Sequence, residues 1–212
     1  MWPIVSRLRR RPSGLIARLL LQVFQHNLMA IKATIFKANL QIADMDRNVY
    51  GDHALTIARH PSETDERMLI RVLAFALNVP ASNDNGGLEL AKSLWDTDEP
   101  DLWQKDLTGQ VMHWIDVGQP DEKRLMKASG RADRVTVLSF SASTAVWWRS
   151  IENKITRARN LTVWQIDAAA SQALAALAQR TMQFQVTVQD GTLWVADATR
   201  TVEITPHKLY PL

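Results

Sequence analysis

"VMHWIDVGQPDEKRLMKASGRADRVTVLSF", residues 111–140, decides the fold. Val111–Val117 reads as a strand whose bulk is Trp114, Ile115 and Val117. Gly118-Gln119-Pro120 turns the chain, and Asp121 and Glu122 stand where carboxylates suit the positive end of a helix dipole. That helix ends near Ser129-Gly130, and Arg134–Phe140 is an almost wholly apolar strand. A strand–helix–strand crossover places its two strands side by side and parallel. One residue disturbs the pattern. Asp116 puts a carboxylate inside the first strand, where a charge is rarely buried without a partner, although strand alternation also permits it to face outward.

Working outward, Lys32–Ile42 alternates imperfectly (Ala33, Ile35, Ala38, Leu40, Ile42), "ADMDRN" is a turn, and Val49–Ala58 returns as the second strand of a hairpin. "HPSETDERMLIRVLAFALNV" is a helix, with Ser62 as N-cap and Glu63, Asp65 and Glu66 in the first turn. Its apolar stripe, Leu69, Val72, Leu73, Ala76 and Leu77, continued backwards, passes through Asp65 and Glu66. A loop over Asn83–Gly87 precedes a short strand at Leu88–Leu94. After residue 140 the pattern predicts a helix over Thr144–Arg157, a strand over Leu161–Ile166 and an Ala-rich helix from Asp167 to Arg180. A closing hairpin follows, with Asp190-Gly191 at its turn. The class is α/β, a single-domain mixed β-sheet with flanking helices and hairpins at both ends.

The totals remove several functions. The chain has 212 residues, 46% hydrophobic with eight Trp, enough for a substantial core. No run of eighteen apolar residues spans a membrane. The absence of Cys excludes disulfides, thiolate metal sites and a cysteine nucleophile, and fits a cytoplasmic location. Residues 1–28 hold five Arg and no acid, leaving 20 basic residues (25 − 5) against 22 acidic ones in the rest. The overall positive charge therefore resides in that extension and gives no argument that the domain itself binds nucleic acid. We read Met29 as the natural beginning and residues 1–28 as a basic extension, with a nucleic-acid or membrane arm as the functional alternative. The five His show no metal-ligand spacing, and no glycine-rich phosphate loop or Gly-x-Ser-x-Gly occurs. Trp147-Trp148 read first as core, and Lys154, Arg157 and Arg159 as cations at a helix end.

Candidate chemistry gathers around Asp116. The contiguous Pro120-Asp121-Glu122-Lys123 is an ordinary helix start rather than a nuclease motif, whose acids belong on different strands. Pro100-Asp101, by contrast, leads into the short strand "LWQKD", and antiparallel pairing with the strand holding Asp116 brings the two carboxylates together. Such a pair can hold hydrated Mg²⁺ or Mn²⁺ with Glu66 as a third ligand. Each has a plainer reading: Asp101 as a turn residue, Glu66 as a partner of Arg67 or Arg71.

Three stretches, "MAIKATIFKANLQIADMDRNVYGDHALTIARHPSETDERMLIRVLAFAL", "DEPDLWQKD" and "WIDVGQPDEKRLMKASGRA", resemble the YaeQ family of bacterial proteins across residues 29–212. The resemblance implies a variant of the restriction-endonuclease-like PD-(D/E)xK fold with an αβββαβ core. On that pattern Glu66 matches the first-helix acid, Asp101 the Pro-Asp acid and Asp116 the acid of the third strand. The lysine expected two positions after Asp116 is Gly118, leaving Gln119 or Lys123 to complete the site. The implied function is a Mg²⁺-dependent nuclease or phosphodiesterase acting on nucleic acid. The alternative is a non-catalytic nucleic-acid- or protein-binding module that keeps the fold.

Overall fold

The computed structural model describes residues 33–91 and 98–211. The expected extension over residues 1–28, and residues 92–94 of the predicted strand Leu88–Leu94, lie outside them. Strands β1 (Thr34–Asp44) and β2 (Val49–Arg59) form the expected hairpin. The inward frame of β1 is Phe36, Ala38, Leu40 and Ile42, while Ile35, expected inside, is 48% exposed. Helix α1 (Asp65–Asn78) follows, then β3 (Leu88–Leu90), β4 (Leu102–Lys105) and β5 (Val111–Val117). Next come α2 (Glu122–Arg131), β6 (Ala132–Ser139), α3 (Thr144–Ile151), β7 (Leu161–Gln165) and α4 (Ala168–Ala175). The order closes with β8 (Thr181–Gln189), β9 (Thr192–Ala196), β10 (Thr201–Ile204) and β11 (His207–Tyr210).

The fold is mixed α/β, with the strands divided between two mixed sheets. The first runs β10-β9-β8-β1-β2 and the second β11-β7-β6-β5-β4-β3. The two hairpins expected at the chain ends do form, but they merge. β8 pairs parallel with β1 from Lys37↔Thr181 to Asp44↔Val188 and makes a sheet of its own. Asp190 and Gly191 both have positive φ (52° and 74°), as a two-residue turn between right-twisted strands requires. The crossover predicted from residues 111–140 is present: β5 and β6 pair parallel, as do β6 and β7.

Alternation on β5 and β6 sorts the interior. Ile115, Val117 and Leu138 join a core with the inner face of the first sheet and with α1. Trp114, Val135 and Val137 face the other way, onto Leu125 and Ala128 of α2 and Trp148 and Ile151 of α3. Helix α1 lies among strands of both sheets and α4, so every residue from Met68 to Ala76 is buried. Truncating one of these large side chains, such as Leu69, to Ala costs about 2–5 kcal/mol.

Three helix boundaries differ from the pattern-based expectation. The N-cap of α1 is Thr64, whose hydroxyl accepts from Arg67 N at 3.1 Å. Ser62 instead interacts with the His60 ring in the preceding loop. Helix α3 stops at Ile151 and a single 3₁₀ turn, Glu152–Lys154, follows. Leaving the helix there buries Ile155 and Ala158 completely and lets Asn160 donate to the carbonyls of Ser129 and Ala132. Helix α4 ends at Ala175, short of the predicted Arg180.

Candidate functional site

The carboxyl end of β5 adjoins the start of α1, the segment before β4 and the start of α2. Between them lies an open pocket of about 320 Å³. Strand register explains why two acids meet there. Leu102 pairs with Ile115, so one step further along the antiparallel ladder sets Asp101 against Asp116, with Asp101 N donating to Ile115 O at 3.0 Å.

Each acid is already bonded. Asp101 Oδ2 accepts from Val117 N at 2.7 Å and Oδ1 from Arg67 Nη2 at 2.6 Å. Asp116 is 2% exposed, and the guanidinium of Arg124 spans both its oxygens, Nη2 to Oδ1 at 2.7 Å and Nε to Oδ2 at 2.9 Å. Arg124 Nη2 also donates to Glu99 O at 2.7 Å. Burial pushes the Asp116 carboxyl above the usual carboxylate range, Arg124 pulls it back, and the nearby charge of Asp101 adds to the rise.

A second ion-pair layer stands behind the first. Glu63, nearly buried just before α1, receives Arg67 Nη1 at 2.9 Å and lies 3.0 Å from Arg71 Nε. Arg71 is 3% exposed and also donates to Ala58 O at 2.9 Å. Arg67 and Arg71, one turn apart on α1, thus share one carboxylate, and the spare donors of Arg67 reach the pocket.

Of the residues expected at the site, Asp101, Asp116 and Gln119 line the pocket. Gln119 Nε2 donates to the hydroxyls of Ser141 and Ser143, at 2.7 and 3.0 Å. Glu66 and Lys123 do not line it. Glu66 accepts from Ser171 Oγ and joins α1 to α4, and Lys123 is exposed on α2. The acid that faces the pocket from this part of the chain is Glu63, and the cation that reaches Asp116 is Arg124, next to the residue expected. Among the described residues no group of three or more His, Asp or Glu is placed to hold a metal ion.

The backbone at Gly118, the position where the resemblance led to the expectation of a lysine, favours glycine. Its φ is 108°, a backbone conformation that glycine adopts freely and a lysine would hold only under strain. A Cβ there would meet nothing within 4 Å, so the backbone, not space, excludes the side chain.

The sequence pattern did not place Glu63, Arg67, Arg71 or Arg124 at the pocket; Glu63 was read only as a first-turn acid, and Arg67 and Arg71 only as partners of Glu66. Helical arithmetic from buried Leu125 places Lys123 outward, as observed, yet the same arithmetic leaves Arg124 flanking the core face, within reach of β5.

The family model described as YaeQ protein matches residues 29–206. The chain is 40% identical over 177 residues to the YaeQ protein of Salmonella typhi, covering 83% of this chain and 95% of that one. Against the counterpart in Escherichia coli K12 the identity is 38% over the same length and coverage. The crystal structure of the YaeQ protein from Xanthomonas axonopodis pv. citri is similar with a TM-score of 0.77 at 46% identity, covering 84% of this chain and 98% of that one. The structure from Pseudomonas syringae gives 0.78 at 35% identity, with 85% and 97% covered.

Proposed function

The chain belongs to the YaeQ family, and from that premise we propose that it is a Mg²⁺- or Mn²⁺-dependent nuclease, or nuclease-like phosphodiesterase, acting on nucleic acid in the pocket beside Asp101 and Asp116. The observation that carries the reading is the pairing of these two acids across β4 and β5, with two guanidiniums next to them.

The donor chemistry fits the cation on one condition. Mg²⁺ takes hard oxygen ligands, commonly one or two carboxylates with water and substrate phosphate completing the shell. Asp101 and Asp116 offer that pair once Arg67 and Arg124 let go of them; Glu66, bonded to Ser171, is not a third. The bound cation would supply Lewis acidity, activating water and offsetting charge on the phosphate oxygens. Charge favours this arrangement. The pocket sets Glu63, Glu99, Asp101 and Asp116 against Arg67, Arg71 and Arg124, an excess of one acid. A bare phosphodiester is repelled by that balance, and a divalent cation reverses it. Arg67 and Arg124 then present planar donor forks to phosphate oxygens, and Gln119 offers a neutral hydrogen-bonding group at the pocket wall.

A second reading rests on a separate observation. Both acids are neutralised by arginine, and the Gly118 backbone disfavours the lysine of the motif. These features suit a non-catalytic module that binds nucleic acid or a protein partner with the same pocket. The deciding experiment incubates residues 29–212 with single- and double-stranded DNA and RNA in Mg²⁺, in Mn²⁺ and in chelator. Metal-dependent cleavage, lost in Asp101→Ala and Asp116→Asn while circular dichroism is unchanged, supports the nuclease. Binding without cleavage in every metal selects the module.

A further inference from the structure

We propose that the free edge of β2 pairs antiparallel with the same edge of a second copy of this chain, joining two five-stranded sheets into one continuous sheet.

Among the described residues, β10 and β2 end the first sheet, and β11 and β3 end the second. β3, β10 and β11 have only three or four residues each, and β11 also carries Lys208 and a bulge. Short strands, bulges and lysines keep an edge from pairing with another chain. β2 has none of these. Its eleven residues run in unbroken register with β1, from Thr34↔Arg59 to Asp44↔Val49, and include neither Pro nor Lys.

The register shows which backbone groups point outward. Lys37 N donates to Arg180 O and Met45 N to Val188 O, so odd-numbered residues of β1 turn to β8 and even-numbered ones to β2. Their partners on β2 are odd-numbered, which leaves Tyr50, Asp52, Ala54, Thr56 and Ala58 facing the free edge. The Ala58 carbonyl accepts from Arg71 Nη2 at 2.9 Å and closes that end. Tyr50, Asp52, Ala54 and Thr56 are all exposed, and they present four N–H and four C=O groups with no partner among the described residues.

A second copy suits this edge. With a two-fold axis at His53, Tyr50 lies opposite Thr56 of the copy and Asp52 opposite Ala54, so all eight groups are paired. Asp52 is the single acid of the stretch, which holds no Lys or Arg, and the copy sets no acid directly opposite it. Tyr50, 61% exposed, gains a cross-strand neighbour in Thr56. On the inner face Leu55, half-buried at the rim of the core, falls beside Gly51 of the copy, which brings no side chain against it. A strip of seven residues, about 24 Å long, buries less than the roughly 1,200 Å² at which stable complexes begin, which sets the expected dissociation constant in the micromolar range.

The test is sedimentation equilibrium of the full chain from about 1 to 200 μM, with circular dichroism as the check on folding. Wild type should pass from monomer towards dimer across that range. Ala54→Pro removes an outward N–H while sparing the ladder to β1, and should weaken association about tenfold or more. Ala54→Asp, set against Asp52 of the copy, should weaken it by a similar factor. Ala54→Lys offers Asp52 an opposite charge and should dimerise at least as well as wild type. The charged variants decide the matter where the proline variant fails to fold. Wild type that stays monomeric at the highest concentration, association that survives Ala54→Pro, or equal loss in Ala54→Asp and Ala54→Lys overturns the pairing.

Discussion

The strand β5 carries a buried ionisable side chain near each end, and each has an arginine beside it. His113 is 1% exposed and Asp116 2%. Guanidinium has no acceptor, so Arg134 Nη2, 2.9 Å from His113 Nδ1, fixes that nitrogen as the acceptor. The proton then sits on Nε2, which donates to Thr136 Oγ1 at 2.8 Å. Burial, helped by the charge of Arg134, pushes the His113 pKa down to about 3. At the other end Arg124 faces an anion and stabilises its charge against burial. One arginine disfavours the charge of its partner and the other favours it. The second pair borders the pocket described above. A buried titratable group is therefore a weak sign of function by itself; what marks Asp116 is a carboxylate held by an arginine at the wall of a pocket.

The contrast is broken most directly at Asp116. Asp116→Ala removes the carboxylate that the Arg124 fork holds and is expected to cost about 3 kcal/mol in urea unfolding, the low end for a buried pair because Arg124 is partly exposed. Adding Arg124→Met to Asp116→Leu should recover most of that loss, since paired apolar replacements restore packing without an orphan charge. Full loss persisting in the double variant would mean that packing, not charge, sets the cost.

Next in size is the effect of acid at His113. Its folded pKa lies below the unfolded value, so stability is complete above about pH 6.5 and falls as the pH drops towards 3. Between pH 7 and 5 this group should remove about 2 kcal/mol. Asp116, raised in the folded state, acts with the opposite sign and gains stability on acidification. The pH dependence of His113→Gln should accordingly be flatter than that of wild type by about that amount. Equal slopes would show that His113 is not held neutral.

The smallest expected effect is at the turn that follows Asp116. Gly118→Lys puts a side chain at a φ of 108° that L-residues avoid, and should cost about 1–2 kcal/mol of stability. Urea unfolding measures that cost; an unchanged stability would show that the turn relaxes and that lysine can be accommodated there.

Much of the scaffold was legible because it depends on local pattern. The β5–α2–β6 crossover follows from an apolar run, a turn and a second apolar run, and the Asp190-Gly191 hairpin from its two turn residues. The separation into two sheets was not, because the β1–β8 pairing joins segments 144 residues apart (181 − 37) and nothing within either strand names its neighbour. At the site, Asp101 and Asp116 were legible from strand spacing. Glu63 was displaced by the assumption that the helix begins at Ser62; with Thr64 as the cap, Glu63 falls before the helix and turns to Arg67 and Arg71. Arg124 was passed over because helical spacing marks the faces of a helix and not how far a long side chain reaches around it.

The parallel contact between β1 and β8 also sets a timetable. A ribosome releases β1 and β2 long before Thr181, so the first hairpin waits with an open edge on β1 while the crossover unit is made. The inner face of that hairpin, together with α1, stays partly uncovered until β8 arrives. Such long-range closure slows folding and prolongs the interval in which nascent chains can pair with one another. Chains arrested before residue 181 should therefore be the aggregation-prone species during synthesis, and their rescue by chaperones the step on which yield depends.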